Sequence, residues 1–336
     1  KWISLAAAVI LAVTALPMTA FAAEKGGGEE KLTKVTLNEV AHSIFYAPQY
    51  VAIEEGYFAE EGLDLTLVTG FGADKVLTAL ISGEADIGFM GAEASIYAYQ
   101  EGATDPAVNF AQLTQRAGNF LVAREEMSDF KWEDLKGKKV LGGRKGGMPE
   151  MVFEYILKKN GIDPQKDLTI DQSIDFGSTA AAFTGDDSAA YTVEFEPSAT
   201  ILEKEGAGYV VASLGEASGY VPYTSYSAKE SYMKENPEII QKFTNALQKG
   251  MDYVQSHTPE EIAEVIAPQF KETDLDTITT IVKRYYDQDT WKENLIFEKD
   301  SFELLQDILE DAGELNTRAE YEKLVQTEYA QKACES

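Results

Sequence analysis

The chain has 336 residues, 57 of them acidic against 29 basic, for a formal net charge of -28. Recognition of nucleic acid or anionic lipid depends on Lys and Arg neutralising phosphates, so this balance excludes both as partners. The single cysteine, Cys334, leaves no intrachain disulfide framework or cysteine-based metal site, and two histidines, His42 and His257, cannot build a His-rich one.

Trp2 to Leu16 is almost wholly apolar behind Lys1, and Ala20-Phe21-Ala22 carries small residues at the two positions a signal peptidase reads. Residues 1–22 are therefore expected to be a signal peptide. The apolar run stops at Pro17, short of the ~20 residues a bilayer requires. Phe21 stands where a lipid-bearing cysteine would be, so no lipid anchor is expected. Residues 23–33, with Gly26-Gly27-Gly28, read as a flexible linker. The mature chain is expected outside the cytoplasm, in the periplasm or on the extracellular face of the cell membrane.

Val35 to Val40 reads as a strand and Pro48 to Glu55 as a helix opened by a proline, where a missing N–H costs nothing. Gly62 to Val68 alternates like a half-buried strand, Ala73 to Ser82 has helical apolar spacing closed by Gly83, and Asp86 to Met90 is a strand again. Strands at 108–114 and 119–124 follow, and Trp132 to Val140 begins a new β/α unit. Its strand at Lys138 to Leu141 leads to a helix from about Met148 to Lys159. Strands at 168–170, 189–193 and 209–214 alternate with helices at 178–183 and 197–205, and Val221 to Ala228 crosses back. From Asn236 onward the pattern is helical, with expected capping boxes at Thr258–Glu261 and Thr317–Glu320.

This succession predicts an α/β protein of two doubly wound lobes, each with a mainly parallel sheet. Residues 34–124 and 224–336 are expected to form lobe one with its C-terminal helices, and residues 125–223 lobe two, joined by a two-crossing hinge near Arg124 and Tyr223. Such sheets bind ligands beyond the carboxyl ends of their strands, where loops run into helix N-termini. Three loops qualify: His42 to Ala47, Gly91 to Ser95 and Gly142 to Pro149.

Several phrases then carry a family likeness: Tyr50-Val51-Ala52 with Glu55-Gly56-Tyr57-Phe58 and Glu61-Gly62-Leu63-Asp64; Leu80 to Gly88; Asp134 to Val140; and Glu196-Pro197. The chain resembles type II substrate-binding proteins of ATP-binding-cassette (ABC) importers, in the nitrate/sulfonate/taurine and thiamine-pyrimidine binding group, over residues 34 to about 260. The resemblance implies capture of a small organic ligand (a sulfonate, an aminopyrimidine or a related heterocycle) between two lobes and its delivery to a membrane permease with its ATPase. It implies a monomer without cofactor. Where relatives carry a Gly-Asp-Ile-Asp-Ala type of phrase before the Glu-Pro, this chain has Gly185-Asp186-Asp187-Ser188-Ala189-Ala190.

The candidate ligand contacts sit on the loops. His42, Phe45 and Tyr46 offer aromatic faces to a planar heterocycle, or pack at the strand end. Gly91, Ala92 and Glu93 lie at a helix start. Arg116 can clamp a carboxylate, sulfonate or phosphate, or serve a hinge ion pair. Arg144 and Lys145, with Gly146, Gly147 and Met148 at a helix N-terminus, form an anion-friendly nest or a solvated loop. Glu93 and Glu194 point instead to amines or protonated ring nitrogens, or cap helices. Phe195 and Tyr223 add aromatic surface from the far side. No catalytic residue is proposed, since the chain lacks a Gly-x-Ser-x-Gly elbow and a Cys-His pair within its lobes. The alternatives are an enzyme resembling the pyrimidine synthase of thiamine biosynthesis, whose Cys-rich motif is missing here, and an exported receptor for a signalling partner.

Overall fold

The computed structural model describes residues 31–175 and 177–335. The expected signal peptide and nearly all of the expected linker lie outside them, and Thr33 already belongs to the first strand.

The first segment comprises β1 (Thr33–Glu39), α1 (Ala47–Glu54), α2 (Tyr57–Glu60), β2 (Leu63–Thr69), α3 (Ala73–Ser82), β3 (Ile87–Met90), α4 (Glu93–Gln100) and β4 (Ala107–Thr114). The second comprises β5 (Asn119–Ala123), β6 (Lys139–Leu141), α5 (Met148–Lys159), β7 (Thr169–Asp171), α6 (Thr179–Gly185), β8 (Tyr191–Phe195), α7 (Ser198–Lys204), β9 (Tyr209–Ser213) and α8 (Leu214–Ser218). The chain returns through β10 (Thr224–Lys229) into α9 (Glu230–Glu235), α10 (Pro237–Ser256), α11 (Pro259–Ile266), α12 (Leu275–Asp287), α13 (Lys299–Asp311), α14 (Tyr321–Leu324) and α15 (Glu328–Cys334).

Two five-stranded sheets result, ordered β2-β1-β3-β10-β4 and β7-β6-β8-β5-β9. In the first, β1 runs parallel to β2 and β3, and β10 is antiparallel to both neighbours. The second repeats the plan, with β6 parallel to β7 and β8, and β5 antiparallel to β8 and β9. Each sheet therefore takes its antiparallel strand beside a crossing of the chain. Strands β3, β4 and β5 are buried along their whole length, as coverage on both faces requires, whereas the edge strand β2 alternates.

One boundary differs from the sequence expectation. The strand at 119–123, assigned there to lobe one, sits inside the second sheet, so the first crossing is the short turn 115–118 rather than the neighbourhood of Arg124. Arg124 instead holds the turn before β8, its Nε donating to the Ala189 carbonyl at 2.9 Å and Nη2 to that of Phe183 at 2.8 Å. The crossing turn is pinned from several sides. Tyr285 Oη donates to the Gly118 carbonyl at 2.8 Å, and Gln288 Nε2 to that of Ala117 at 3.2 Å. Gly118 is needed there, because a Cβ would stand 2.6 Å from the Phe45 ring.

Local signals account for most helix ends. Pro149 opens α5, and Lys158 and Lys159 complement the dipole at its end, where Gly161 takes a left-handed φ of 71°. Thr258 and Glu261 form the expected capping box of α11. The second expected box does not form: α14 begins at Tyr321 behind Glu320, and Arg318 is drawn onto Glu303, Asp307 and Glu310 of α13. The C-terminal helices embrace both lobes. Helices α10 and α11 pack on α1, α12 packs on α11, and α13 reaches across to α5 of lobe two.

Candidate functional site

A cavity of about 290 Å³ lies between the lobes. From lobe one it is lined by the loop after β1 (Val40 to Ser43, with Tyr46), the loop after β2 (Phe71 to Ala73), the loop after β3 (Gly91, Glu93) and Thr224 at the start of β10. Lobe two contributes Asn119, the loop after β6 (Gly143, Arg144, Gly147 to Pro149), the loop after β7 (Gly177, Thr179) and the stretch from Val193 to Ser198. These are the carboxyl ends of the parallel strands of both sheets, the position open α/β sheets leave for a ligand.

Contacts between the lobes close the cavity at its rims. Ser43 Oγ donates to the Glu196 carbonyl at 2.9 Å, Tyr97 Oη to that of Gly146 at 3.1 Å, and Arg144 pairs with Asp74 at 3.2 Å. Tyr223, in the second crossing, donates from its hydroxyl to Asn119 Oδ1 at 2.6 Å.

Ten of the fourteen residues singled out from the sequence line this cavity: His42, Tyr46, Gly91, Glu93, Arg144, Gly147, Met148, Glu194, Phe195 and Tyr223. Four do not. Phe45 is fully buried behind Tyr46, with its ring 5.9 Å from Phe195, 5.6 Å from Tyr223 and 5.2 Å from Tyr285, a packing position at the junction of the lobes. Arg116 belongs to the hinge, where Nη1 donates to the Gly215 carbonyl at 3.1 Å and the guanidinium lies 4.2 Å over the Tyr220 ring. Ala92 is the N-cap position of α4, and Gly146 lines a neighbouring groove with Glu314.

Two carboxyl groups dominate the cavity. Glu93, in lobe one, is 3 % exposed, and its Oε2 is buried without a hydrogen-bond partner. Gly91 makes room for it, since a Cβ there would stand 2.0 Å from Oε2. Burial pushes the Glu93 carboxyl up to about 7, against backbone N–H groups, among them that of Met148 at the start of α5, and the charge of Arg144. Glu194, in lobe two, is also 3 % exposed and accepts from Thr179 at 2.9 Å and Thr192 at 2.5 Å. Burial raises it to about 7 as well.

His42 presents its ring to the cavity, but both ring nitrogens are engaged, Nδ1 with Glu39 Oε1 at 2.8 Å and Nε2 with the Gln269 carbonyl at 2.9 Å. Acceptors on both sides favour the protonated ring. Burial pulls its pKa down, and the Glu39 carboxylate with the Gln269 carbonyl outweighs that and raises it.

A model of the NMT1/THI5-like family matches residues 44–262. The chain belongs to this family. It is 48 % identical over 304 residues to YtlA of Bacillus subtilis (strain 168), named as a candidate binding protein, covering 90 % of this chain and 91 % of YtlA. The 4-amino-5-hydroxymethyl-2-methylpyrimidine phosphate synthase THI11 of Saccharomyces cerevisiae is 24 % identical over 225 residues, 62 % of this chain and 63 % of that one. Among solved structures, the alkanesulfonate-binding protein SsuA of Xanthomonas axonopodis pv. citri, bound to MOPS, superposes with a TM-score of 0.70 at 15 % identity, covering 88 % of this chain and 99 % of SsuA. The fold is thus that of the substrate-binding proteins of ABC importers, two doubly wound lobes with helical C-terminal additions.

Cavity residues that were not among the sequence's candidate contacts include Phe71 and Thr179, on the loops after β2 and β7, and Pro197 and Ser198 after β8. The strand-end rule that selected three loops applies equally to β2, β7 and β8. Phe71 also carries its own signal, a large apolar side chain 58 % exposed at a left-handed φ of 57° beside Gly70 and Gly72.

The two carboxyls give a pH dependence of known sign. A carboxyl raised in the fold retains a proton that the unfolded chain has lost, so its stabilisation is complete below about 4.5 and disappears as pH rises through about 7. Unfolding free energy of the ligand-free protein should fall between pH 5 and 8, each group contributing on the order of 1–3 kcal/mol. Urea titrations across this range should show a flatter slope in Glu93→Gln/Glu194→Gln, and an unchanged slope would refute the assignment.

Proposed function

We propose that the protein is the extracytoplasmic solute-binding subunit of an ABC importer, capturing a small organic ligand between its lobes and presenting the closed form to a permease and its ATPase. The observation that carries this reading is the cavity at the strand ends of both sheets, walled by Tyr46, Phe195 and Tyr223 and contacted by loops from each lobe. A cavity of about 290 Å³ suits a ligand of one or two rings. The lobes act by closing over the ligand, and a closed form stabilised by ligand is what a partner can select. The protein acts as a monomer, uses no cofactor and performs no reaction.

Native mass spectrometry of the protein purified without denaturation, followed by denaturation and analysis of the released compound, tests this. The expected result is one small molecule per chain, released unchanged and raising the melting temperature on re-addition. A compound chemically converted on incubation with the protein would favour the synthase-like alternative, and a cavity that takes up no small molecule would overturn the reading.

A further inference from the structure

The loop that lobe two lays against lobe one is held from behind by a pair of buried acids. Glu150 and Glu154 stand one turn apart on α5, 2 % and 4 % exposed. Both accept from the same amide nitrogen, Gln172 Nε2, at 2.6 Å and 3.4 Å, and Glu154 accepts also from Gln165 Nε2 at 3.2 Å. The cations around them are spent elsewhere: Lys139 on Asp171, Arg144 on Asp74, Lys145 on Glu314, Lys158 on Asp311, Lys159 on the Ser218 carbonyl and Lys166 on Asp163. The helices packed on α5 bring Glu216 from α8 and Asp311 from α13, which add no positive charge, and α4 brings the neutral Tyr97. Two buried acids without a cation keep one proton between them, because a second charge would be neither solvated nor offset. Burial, and then the facing Glu154, pushes the Glu150 carboxyl up to about 8.

What the pair holds is a contact between the lobes. Glu150 Oε2 accepts from the Gly146 N–H at 3.2 Å, and the Gly146 carbonyl accepts from Tyr97 Oη of lobe one at 3.1 Å. Gly146, at a left-handed φ of 75°, is thus gripped from both sides. Burial raises the Tyr97 hydroxyl far above the ordinary tyrosine range, so this donor does not titrate with the pair. We propose that Glu150 and Glu154 form a proton-operated latch: with one shared proton the pair seats the Gly146 loop for Tyr97, and in alkaline medium the loss of that proton drives the carboxylates apart and frees the loop from lobe one. A carboxyl raised in the seated form stabilises it in acid and neutral solution, and that stabilisation is lost as pH rises through about 8. Neither acid lines the cavity, so the latch acts on its rim whatever compound the cleft takes.

Amide hydrogen exchange of the ligand-free protein at pH 6.5 and 9, read on the peptide spanning 143–148 and corrected for the intrinsic rate, tests the proposal. In the wild type the corrected rate should rise about 10-fold or more, the change one proton drives over a pH unit, while peptides of α1 and α10 stay level. Glu150→Gln and Glu154→Gln, shown to be folded by circular dichroism, dissolve the pair and should hold the rate within about 2-fold over the same range. Glu93 and Glu194 titrate in all three proteins, so the difference isolates the pair. Tyr97→Phe removes the grip of lobe one and should speed loop exchange already at pH 6.5. A level wild-type profile, a rise of the same size in both carboxyl variants, or a Tyr97→Phe profile identical to the wild type overturns the latch. If neither carboxyl variant folds, the wild type decides, a rise confined to this peptide supporting the proposal and a uniform rise overturning it.

Discussion

Replacing Glu39 by alanine should destabilise the protein by about 3–5 kcal/mol, the cost of removing one member of a fully buried charged network. Glu39 ends β1 at the foot of the cleft and is wholly buried. Its Oε2 accepts from Gln49 Nε2 and Tyr50 Oη, each at 2.8 Å, and its Oε1 from Thr69 Oγ1 at 3.0 Å and the His42 ring at 2.8 Å. Tyr226 of β10 extends the network, donating to Gln49 Oε1 at 2.8 Å. A carboxylate with this many donors offsets its own desolvation. Without it, the donors of α1 and β2 and the His42 ring lose their acceptor. Glu39→Gln keeps the shape and part of the bonding and should cost about half as much. Guanidinium unfolding of the two variants checks this, and an alanine variant within 1 kcal/mol of the wild type, roughly the scale of an ordinary surface change, would show the network to be dispensable.

Arg284→Met should cost about 3 kcal/mol of stability and also weaken ligand binding. Arg284 stands on α12, which packs against lobe one through α11. Its Nη1 donates to Glu196 Oε1 at 2.8 Å and its Nη2 to Glu203 Oε2 at 2.7 Å. Glu196 lies in lobe two where β8 runs into the cleft-lining turn, its side chain fully buried and further held by Thr200 through backbone and hydroxyl donors at 2.9 Å. The ion pair therefore joins the lobes at the edge of the cavity, and its loss leaves a buried carboxylate without its cation. A double-mutant cycle with Glu196→Gln separates the pair from its neighbours and should give a coupling of at least about 1 kcal/mol, since the double variant no longer buries an uncompensated charge. Purely additive effects would show that the two residues act independently.

The architecture was legible in the sequence because its signals are local and repeated. Apolar alternation in β1 and β2, Pro and Gly at the ends of α1, α3 and α5, and the capping box of α11 each mark an element through chemistry within a few residues. Membership of a sheet is not local. Strands β4 and β5 are separated by four residues and look like consecutive strands of one lobe, yet β5 pairs with β8 and β9, and only those long-range partners reveal the crossing at 115–118. The candidate site shows the same divide. Rules about strand ends located the loops that carry Glu93 and Arg144, but they carry no information about side-chain direction. Phe45 and Tyr46 are neighbours in one short helical turn, and the rotation between them turns one ring into the packed junction and the other towards the cleft. Arg116 had the charge for a ligand clamp, and the carbonyl of Gly215 and the ring of Tyr220, distant in sequence, claimed it for the hinge.

Helix α13 has a bearing on how far the two halves can part. It lies against α5, Lys158 pairs with Asp311 at 3.1 Å, and Lys145 reaches Glu314 just beyond the helix at 3.5 Å. Lobe two is thereby tethered on a third line besides the two crossings, in the manner of a door held by a short chain. A wide yawn would have to strip an entire helix face, while a shallow rocking about Gly118 leaves that face in place. If the protein captures and passes on a ligand as proposed, capture needs only a narrow gap, and release requires α5 to be lifted from its stay.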